Sequence, residues 1–211
     1  MPDLSQFLLY LAAALLLAIT PGPGLFYVAA RTLAGGRAEG IASSLGTGLG
    51  ELLHVLAGSL GVSAIVLASA DLFAALKLAG AAYLVWLGWR TFRAAGAQAS
   101  AAAAPPAGRG RAFREGMLVE ALNPKTAAFF LAFVPQFLDP AAGRVALQFV
   151  LLGAVSVALN TLADIAVACA ASGIRDGAAA RPGLVRRLRQ GSGGAMVALG
   201  IGLALARRPA G

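Results

Sequence analysis

The sequence predicts an all-α polytopic membrane protein, six transmembrane helices forming two inverted three-helix repeats with a broken first helix in each. Three observations predict it. Of the 211 residues 59% are apolar and 12% charged, roughly half the charged fraction of a soluble domain, and the mean hydropathy is +0.79. Six apolar stretches follow one another, each near the roughly 20 residues that one crossing needs. Two of them, in corresponding positions, are interrupted by proline. Such a composition excludes a soluble enzyme, a disordered tail and a disulfide scaffold.

The first span runs from Leu4 to Ala30 without a charge and is interrupted at Thr20-Pro21-Gly22-Pro23-Gly24. The leader Met1-Pro2-Asp3 lacks the positive region of a signal peptide, so this span is expected to stay in the mature protein. The second, from about Gly40 to Ser69, carries only Glu51 and His54, and the third, Leu72 to Trp89, contains Lys77. The fourth, about Ala112 to Leu138, is interrupted at Asn123-Pro124-Lys125. The fifth, about Val145 to Ser172, holds Asp164, and the sixth is Gly191 to Ala206. Nothing alternates with the period of two that a barrel strand needs, which leaves helices.

The stretch 94–110 is Ala, Gly and Pro with little else and reads as a mobile cytoplasmic linker. It divides the chain into a first repeat, 1–93, a linker, 94–111, and a second repeat, 112–211. A unit with an odd number of crossings is inserted upside down when repeated in series, so the halves should be antiparallel.

Twelve basic residues lie in the loops after spans one, three and five: Arg31, Arg37, Arg90, Arg93, Arg109, Arg111, Arg114, Arg175, Arg181, Arg186, Arg187 and Arg189. Arg144, Arg207 and Arg208 lie on the other side, the last two against the trend. Basic loops stay cytoplasmic, which puts both termini outside. The net charge of +8 therefore reflects topology; no aromatic-rich basic face exists to stack bases, and no nucleic-acid partner is expected. The lone Cys169 permits neither an intrachain disulfide nor a CxxC pair.

Proline lacks an N–H and clashes with the carbonyl four residues back, so Pro21 and Pro23 should free the carbonyls of Leu17 and Ile19, and Pro124 that of Glu120. Thr20 and Asn123 are good N-cap residues and proline suits the first helical position, so each break reads as the start of a half-helix. Such a start presents free N–H groups and partial positive charge, a natural seat for a carboxylate. Pro21 lies ten residues before Arg31 and Asn123 nine after Arg114, about 14 to 15 Å at helical rise, which is close to half of a hydrocarbon core of about 30 Å. Prolines also merely kink transmembrane helices, but two polar-capped breaks at matching depth favour a substrate site formed by Thr20, Pro21, Gly22, Pro23, Asn123, Pro124 and Lys125.

Glu51 lies 12 residues after Glu39 and Asp164 lies 11 before Arg175, so both sit near the midplane. A carboxylate there costs on the order of 3 kcal/mol or more unless it faces a cavity, finds a partner or is protonated. Glu51 and Asp164 are the candidate proton carriers, with Lys125 as their partner and as the group that handles a substrate carboxylate; the alternative is a static buried salt bridge. His54, three residues after Glu51, makes an E-x-x-H spacing, but a single His and one distant Cys are an incomplete ligand set. No metal site is expected; His54 reads as a hydrogen-bonded residue tuning Glu51. Glu120 is shallower, an access-path or structural group. Lys77 should snorkel, while Asp71 and Asp139 mark outer turns. Gly46-x-Gly48-x-Gly50 lacks the strand and βαβ unit of a nucleotide site, so close helix packing explains it.

These features together resemble the LysE/RhtB family of bacterial amino-acid exporters. The resemblance rests on Thr20-Pro21-Gly22-Pro23, the Gly-rich second span with Glu51 and His54, Ala82-Tyr83-Leu84-Val85-Trp86-Leu87-Gly88-Trp89, Asn123-Pro124-Lys125 with Phe129-Phe130, and Phe133-Val134-Pro135-Gln136-Phe137. It covers most of the chain. It implies a secondary transporter in the bacterial inner membrane that exports small amino acids or their derivatives, is driven by the proton gradient, needs no cofactor and can form a homodimer. Glu51 stands where the family more often has Asp, and an acid at Glu120 is unusual for it. Two other readings are a metal-ion or thiol-redox protein of the same superfamily, which wants paired Cys or several His, and an intramembrane hydrolase with His54 as base, which lacks a GxSG nucleophile.

Overall fold

A computed structural model describes residues 4–68, 70–94 and 106–174, with scattered positions between 190 and 205. Most of the linker and of the predicted sixth span lie outside the described residues. Every regular element among the described residues is helical. The first apolar stretch gives α1 (Leu4–Ile19) and α2 (Pro23–Gly35), separated by the Thr20–Gly22 break. α3 (Arg37–Ala68) follows, then α4 (Ala70–Ala94) and α5 (Arg109–Ala121). Past Asn123, α6 (Pro124–Ala128) runs into a π-helical turn at Phe129–Phe133 and a 3₁₀ turn at Val134–Phe137, and α7 (Val145–Ile174) completes the described chain.

Both expected breaks are present. α1 and α2 meet at 44°, as do α5 and the Pro124–Phe137 segment, and each bent pair is long and apolar enough to be one membrane span. Val145–Gly173 of α7 crosses unaided by the same criterion, and α3, at 32 residues, is about 48 Å long.

Several helices outrun the spans read from the sequence. α2 continues five residues past Ala30 to Gly35, α4 is longer than Leu72–Trp89 at both ends, and α5 begins at Arg109 instead of Ala112. Hydropathy marks only the lipid-immersed part of a helix, whereas backbone hydrogen bonding carries it into the headgroup region until a cap stops it. Gly36 is that stop for α2: its φ is +83°, and its N–H bonds the Thr32 carbonyl. The start of α5 is held from outside its own sequence. The buried Glu39 carboxylate of α3 accepts from the N–H groups of Ala107 (3.0 Å) and Gly108 (2.7 Å), satisfying donors that a helix start leaves open.

The second half of the fourth span is less regular than a simple half-helix. Val134 N–H bonds the Phe129 carbonyl five residues back, Pro135 has no N–H to continue the ladder, and Gln136 Nε2 reaches the Ala132 carbonyl at 2.8 Å. The distorted turn lays Phe129, Phe133 and Phe137 ring on ring, with centroids 5.2 and 5.1 Å apart. Tyr10 of α1 packs edge-on against Phe137; its hydroxyl donates to the Leu152 carbonyl at 2.8 Å and lies 2.6 Å from Ser156 Oγ. An aromatic core thus joins α1 to α7.

The distribution of side chains is inverted relative to a soluble protein. Leu4, Leu8, Leu9, Leu53, Leu56, Leu60 and Leu162 point outward, while Ser43, Ser44, Thr47, Glu51, Asn123, Lys125 and Asp164 are buried. Lipid is the solvent such a surface fits. Trp86 and Trp89 near the end of α4 are exposed, with the Arg90 guanidinium 5.5 Å from the Trp86 ring centre, a pairing suited to the headgroup level. Asp71 is exposed; the side chain of Lys77 lies outside the described residues.

α3 is the hub, packed mainly on α5 and α7. Its glycines alternate between these neighbours: Gly46 and Gly50 abut the backbone carbonyls of Phe113 and Met117, while Gly48 faces Thr161. Gly116 of α5 returns the contact, its Cβ position falling 2.7 Å from the Ser43 carbonyl. Close helix packing, not nucleotide binding, is what these glycines serve. Gly46→Ala should therefore lower the unfolding free energy in detergent by on the order of 3 kcal/mol, since one carbonyl cannot yield to a methyl group without parting the helices. Gly61→Ala, whose added carbon meets nothing within 4 Å, should leave the melting temperature unchanged; equal shifts in the two variants would refute this account.

Candidate functional site

The proline breaks decide where the polar groups go. At the first, Thr20 does not cap α2 as expected: the N-cap is Gly22, which has no side chain to do so, and Thr20 instead closes α1 by giving its hydroxyl to the Leu16 carbonyl at 2.5 Å, while the Leu17 carbonyl loses its helical donor at Pro21. Lys125, entering from the second break, donates to it: Nζ lies 3.2 Å from the Leu17 carbonyl and 3.1 Å from that of Thr20. The aliphatic stem of Lys125 crosses Gly22, where a Cβ would lie 3.1 Å from both Cε and Nζ. At the second break Asn123 caps α6, its Oδ1 accepting from Lys125 N–H at 3.0 Å, and the carbonyl of Glu120, left by Pro124, lies 3.1 Å from His54 Nε2. The two breaks are thus in contact; each carbonyl that loses its helical donor keeps a backbone N–H from three residues on, Thr20 to Leu17 at 3.2 Å and Asn123 to Glu120 at 3.0 Å, and is also met by a nitrogen from elsewhere in the bundle.

Two further expectations are corrected by this geometry. Lys125 forms no direct ion pair with Glu51 or Asp164; carbonyls trapped in an apolar bundle compete for its ammonium, and they are nearer. His54 bonds the Glu120 backbone at the end of α5 instead of Glu51, and its ring stacks with Phe130 of the π-helical turn, centroids 6.3 Å apart.

Glu51 and Asp164 find neutral partners in a reciprocal pattern. Asn160 Nδ2 of α7 donates to Glu51 Oε1 at 2.6 Å, and Thr47 Oγ1 of α3 lies 2.7 Å from Asp164 Oδ2. Each acid is bonded by the residue four positions before the other acid. Such crossing requires α3 and α7 to run antiparallel, as do the Gly58–Phe149 and Gly153–Val55 contacts. Thr47 has one proton and two claimants, for Oγ1 also lies 2.9 Å from the Ser44 carbonyl. An ionised Asp164 accepts from Thr47; a protonated one donates to it and frees the Thr47 hydroxyl for Ser44. The pair is bonded in both protonation states.

Glu120 is the residue that reading the sequence undervalued. Its side chain is buried at 8% exposure; Asn123 Nδ2 lies 3.1 and 3.0 Å from its two oxygens, and Thr126 Oγ1 also donates to Oε1. Oε2 sits against Gly24 at the start of α2, where any side chain would overlap it. Between these groups lies a cavity lined by Ala18, Gly24, Thr47, Glu51, Glu120, Asn123, Lys125, Asn160 and Asp164, among others. At ≈ 20 Å³ it admits about one water molecule and no amino acid.

On one flank the gap between α2 and α5 is clasped. Arg31 Nη2 and Tyr27 Oη of α2 reach Glu115 Oε2 of α5 at 2.6 and 2.9 Å, and Arg111 Nε holds Oε1 at 2.6 Å. Among the described residues no group of three or more His, Cys, Asp and Glu is placed to hold a metal ion.

A lipid-facing helical bundle with two broken spans and a polar interior cavity is the framework of a membrane translocator. The chain belongs to the LysE type translocator family, whose model matches residues 15–207. It is 34% identical to a homoserine/homoserine lactone efflux protein of Salmonella typhimurium over 72% of this chain and 73% of that one. It is 33% identical to an uncharacterised membrane protein of Pseudomonas aeruginosa over 77% and 78% of the two chains. A leucine efflux protein of Klebsiella pneumoniae shares 29% identity over 70% of each. No solved structure matches the chain. The family members named for an activity are efflux transporters, and this chain is a membrane translocator, not an enzyme.

Removing the Lys125 ammonium takes the side-chain donor from the Thr20 carbonyl and leaves the Leu17 carbonyl with the Thr20 N–H alone. Lys125→Met should lower stability by about 1 to 3 kcal/mol, the cost of one buried acceptor left unmet. Thermal unfolding in detergent would read this, and a variant as stable as wild type would show that the tie between the breaks is dispensable.

Proposed function

We propose that this protein exports a small amino acid or amino-acid derivative across the bacterial cytoplasmic membrane in exchange for protons, by alternating access of two inverted halves around the central cavity. One observation carries the reading: Glu51 and Asp164, Asn123 and Lys125 of the second break, and Ala18 and Gly24 on either side of the first line one cavity, with Thr20, Pro21, Gly22, Pro23 and Pro124 behind them. Homoserine, its lactone and leucine, which name the relatives' activities, set the size of compound expected.

The inverted architecture is supported by the equal 44° bends of the first and fourth spans and by the antiparallel course of α3 and α7, the second spans of the two halves. The twelve arginines of the loops after spans one, three and five support an orientation with both termini outside. Thr20, Pro21, Gly22 and Pro23 with Asn123, Pro124 and Lys125 form the substrate-binding breaks. Glu51 and Asp164 carry the proton, each holding a neutral partner that serves it charged or uncharged, and His54 ties Glu51's helix to the second break.

In this reading the structure is closed around its site. To admit substrate from the cytoplasm, α2 must part from α5, and the Arg31–Tyr27–Glu115 clasp is what it must open. Lys125 then has two alternatives, the Leu17 and Thr20 carbonyls when the cavity is closed and the substrate's acceptors when it is occupied.

Cells expressing the protein should release labelled compounds from a small amino-acid panel, and an uncoupler should abolish the release. Glu51→Gln and Asp164→Asn should each flatten the dependence of efflux on external pH; wild-type pH dependence in both variants would remove these acids from the coupling. Glu115→Gln should make a cysteine placed at Ala18, which lines the cavity, react faster with a cytoplasmic thiol reagent in a Cys169→Ser background, at least severalfold, and an unchanged rate would mean that the clasp is no barrier.

A further inference from the structure

The geometry points to Glu120 as a specificity-determining residue that directs this cavity to amino compounds whose carboxyl group is masked, as an ester, lactone or amide. The inference rests on the export reading and names the substrate class for the same site.

A free amino acid brings a carboxylate, and a carboxylate needs donors. The donors at the second break are already engaged by the chain's own acid: Asn123 Nδ2 faces both Glu120 oxygens, and the Thr126 hydroxyl donates to Oε1. The start of α2 is closed by the same group, because Oε2 rests against Gly24 with no room for another atom between them. Lys125, the cation of the cavity lining, has its Nζ on the carbonyls of Leu17 and Thr20. Glu120 therefore occupies, from within the chain, the Asn123 amide and Thr126 hydroxyl donors and the space beside Gly24 that a substrate anion would otherwise take.

The remaining lining has the opposite character. Glu51, Asp164 and Glu120 are three carboxyl groups beside one lysine, and Asn160, Thr47 and Thr161 add oxygen atoms able to accept. An ammonium group finds partners there. A carboxylate would have to displace Glu120 from three hydrogen bonds and then sit beside it as a like charge, so the arrangement selects by repelling the wrong compound as well as by holding the right one. Glu120 is not needed to cap α6, a task Asn123 Oδ1 performs.

The test uses the purified full-length protein in detergent at pH 6, where the amines are protonated. Binding is read by calorimetry for two matched pairs, leucine against leucinamide and homoserine against homoserine lactone. The masked member of at least one pair should bind wild type about tenfold more tightly than its free partner. Glu120→Gln should erase or invert that ratio, chiefly by strengthening the free amino acid. Glu120→Asn serves as a second variant, and the wild-type ratio stands by itself should neither fold. Wild type preferring the free acids, or variants that weaken both members equally, would overturn the role of Glu120 and leave export intact. Binding of none of the four compounds, together with no efflux from cells, would overturn both readings.

Discussion

A backbone carbonyl set loose inside a membrane has no water to turn to, and the architecture of this bundle follows from that constraint. Pro21 leaves the Leu17 carbonyl without its helical donor, and Pro124 does the same to Glu120. Each falls back on a backbone N–H three residues on and is also met by a side chain from elsewhere in the bundle, Lys125 at 3.2 Å and His54 at 3.1 Å. These two contacts fix the depth at which the breaks meet. The packing around them accommodates the meeting: Gly22 lets the lysine stem pass, and Gly46, Gly50 and Gly116 let α3 and α5 approach backbone to backbone.

Most of the frame was legible in the residues because it is dictated by one-dimensional physics. Apolar length marked the spans, proline marked the breaks, and counting residues from the basic loops located Thr20, Asn123, Glu51 and Asp164 at a common depth. What could not be read was who bonds whom. The ammonium of Lys125 had carboxylates and carbonyls within conceivable reach, and only coordinates show that the carbonyls are closer. Asn160 and Thr47 were passed over although each precedes an acid by four residues, a spacing that sets both on one helix face. The burial of Glu120 is not visible in its distance along the helix from Arg114, because it comes from the chain turning back at Asn123, whose amide meets the carboxylate.

The reciprocal bonds between α3 and α7 give a physical basis for two-state behaviour. Thr47 meets Asp164 and Asn160 meets Glu51 across helices running in opposite directions. The two contacts are interchangeable in kind, an acid held by a neutral donor, so a tilt of one half against the other that strains one pair need not strain the other. Neither pair depends on its acid being charged, because Thr47 can turn its proton to the Ser44 carbonyl. A salt bridge in the same place would behave differently. Burying one partner's charge after the other is neutralised is strongly unfavourable, and such a lock would resist the proton movement that the proposed exchange requires.

The same reasoning separates the roles of the charged groups by depth. At the α2–α5 flank, Arg31 and Arg111 surround Glu115 with ionic bonds, and Glu39 anchors the start of α5 through two backbone N–H groups. The Arg111–Glu115 pair is exposed on its arginine side, and such a surface pair is worth about 0 to 1 kcal/mol; Arg31 is more shielded and Glu39 is buried. Deeper in, where an unpaired charge is most expensive, every acid is paired with a neutral donor and the lysine with carbonyls, so that protonation changes or substrate can exchange partners without stranding an ion. Neutral contacts at the centre and ionic ones at the α2–α5 flank are the division of labour that the proposed exchange asks of a bundle that keeps its fold while it opens.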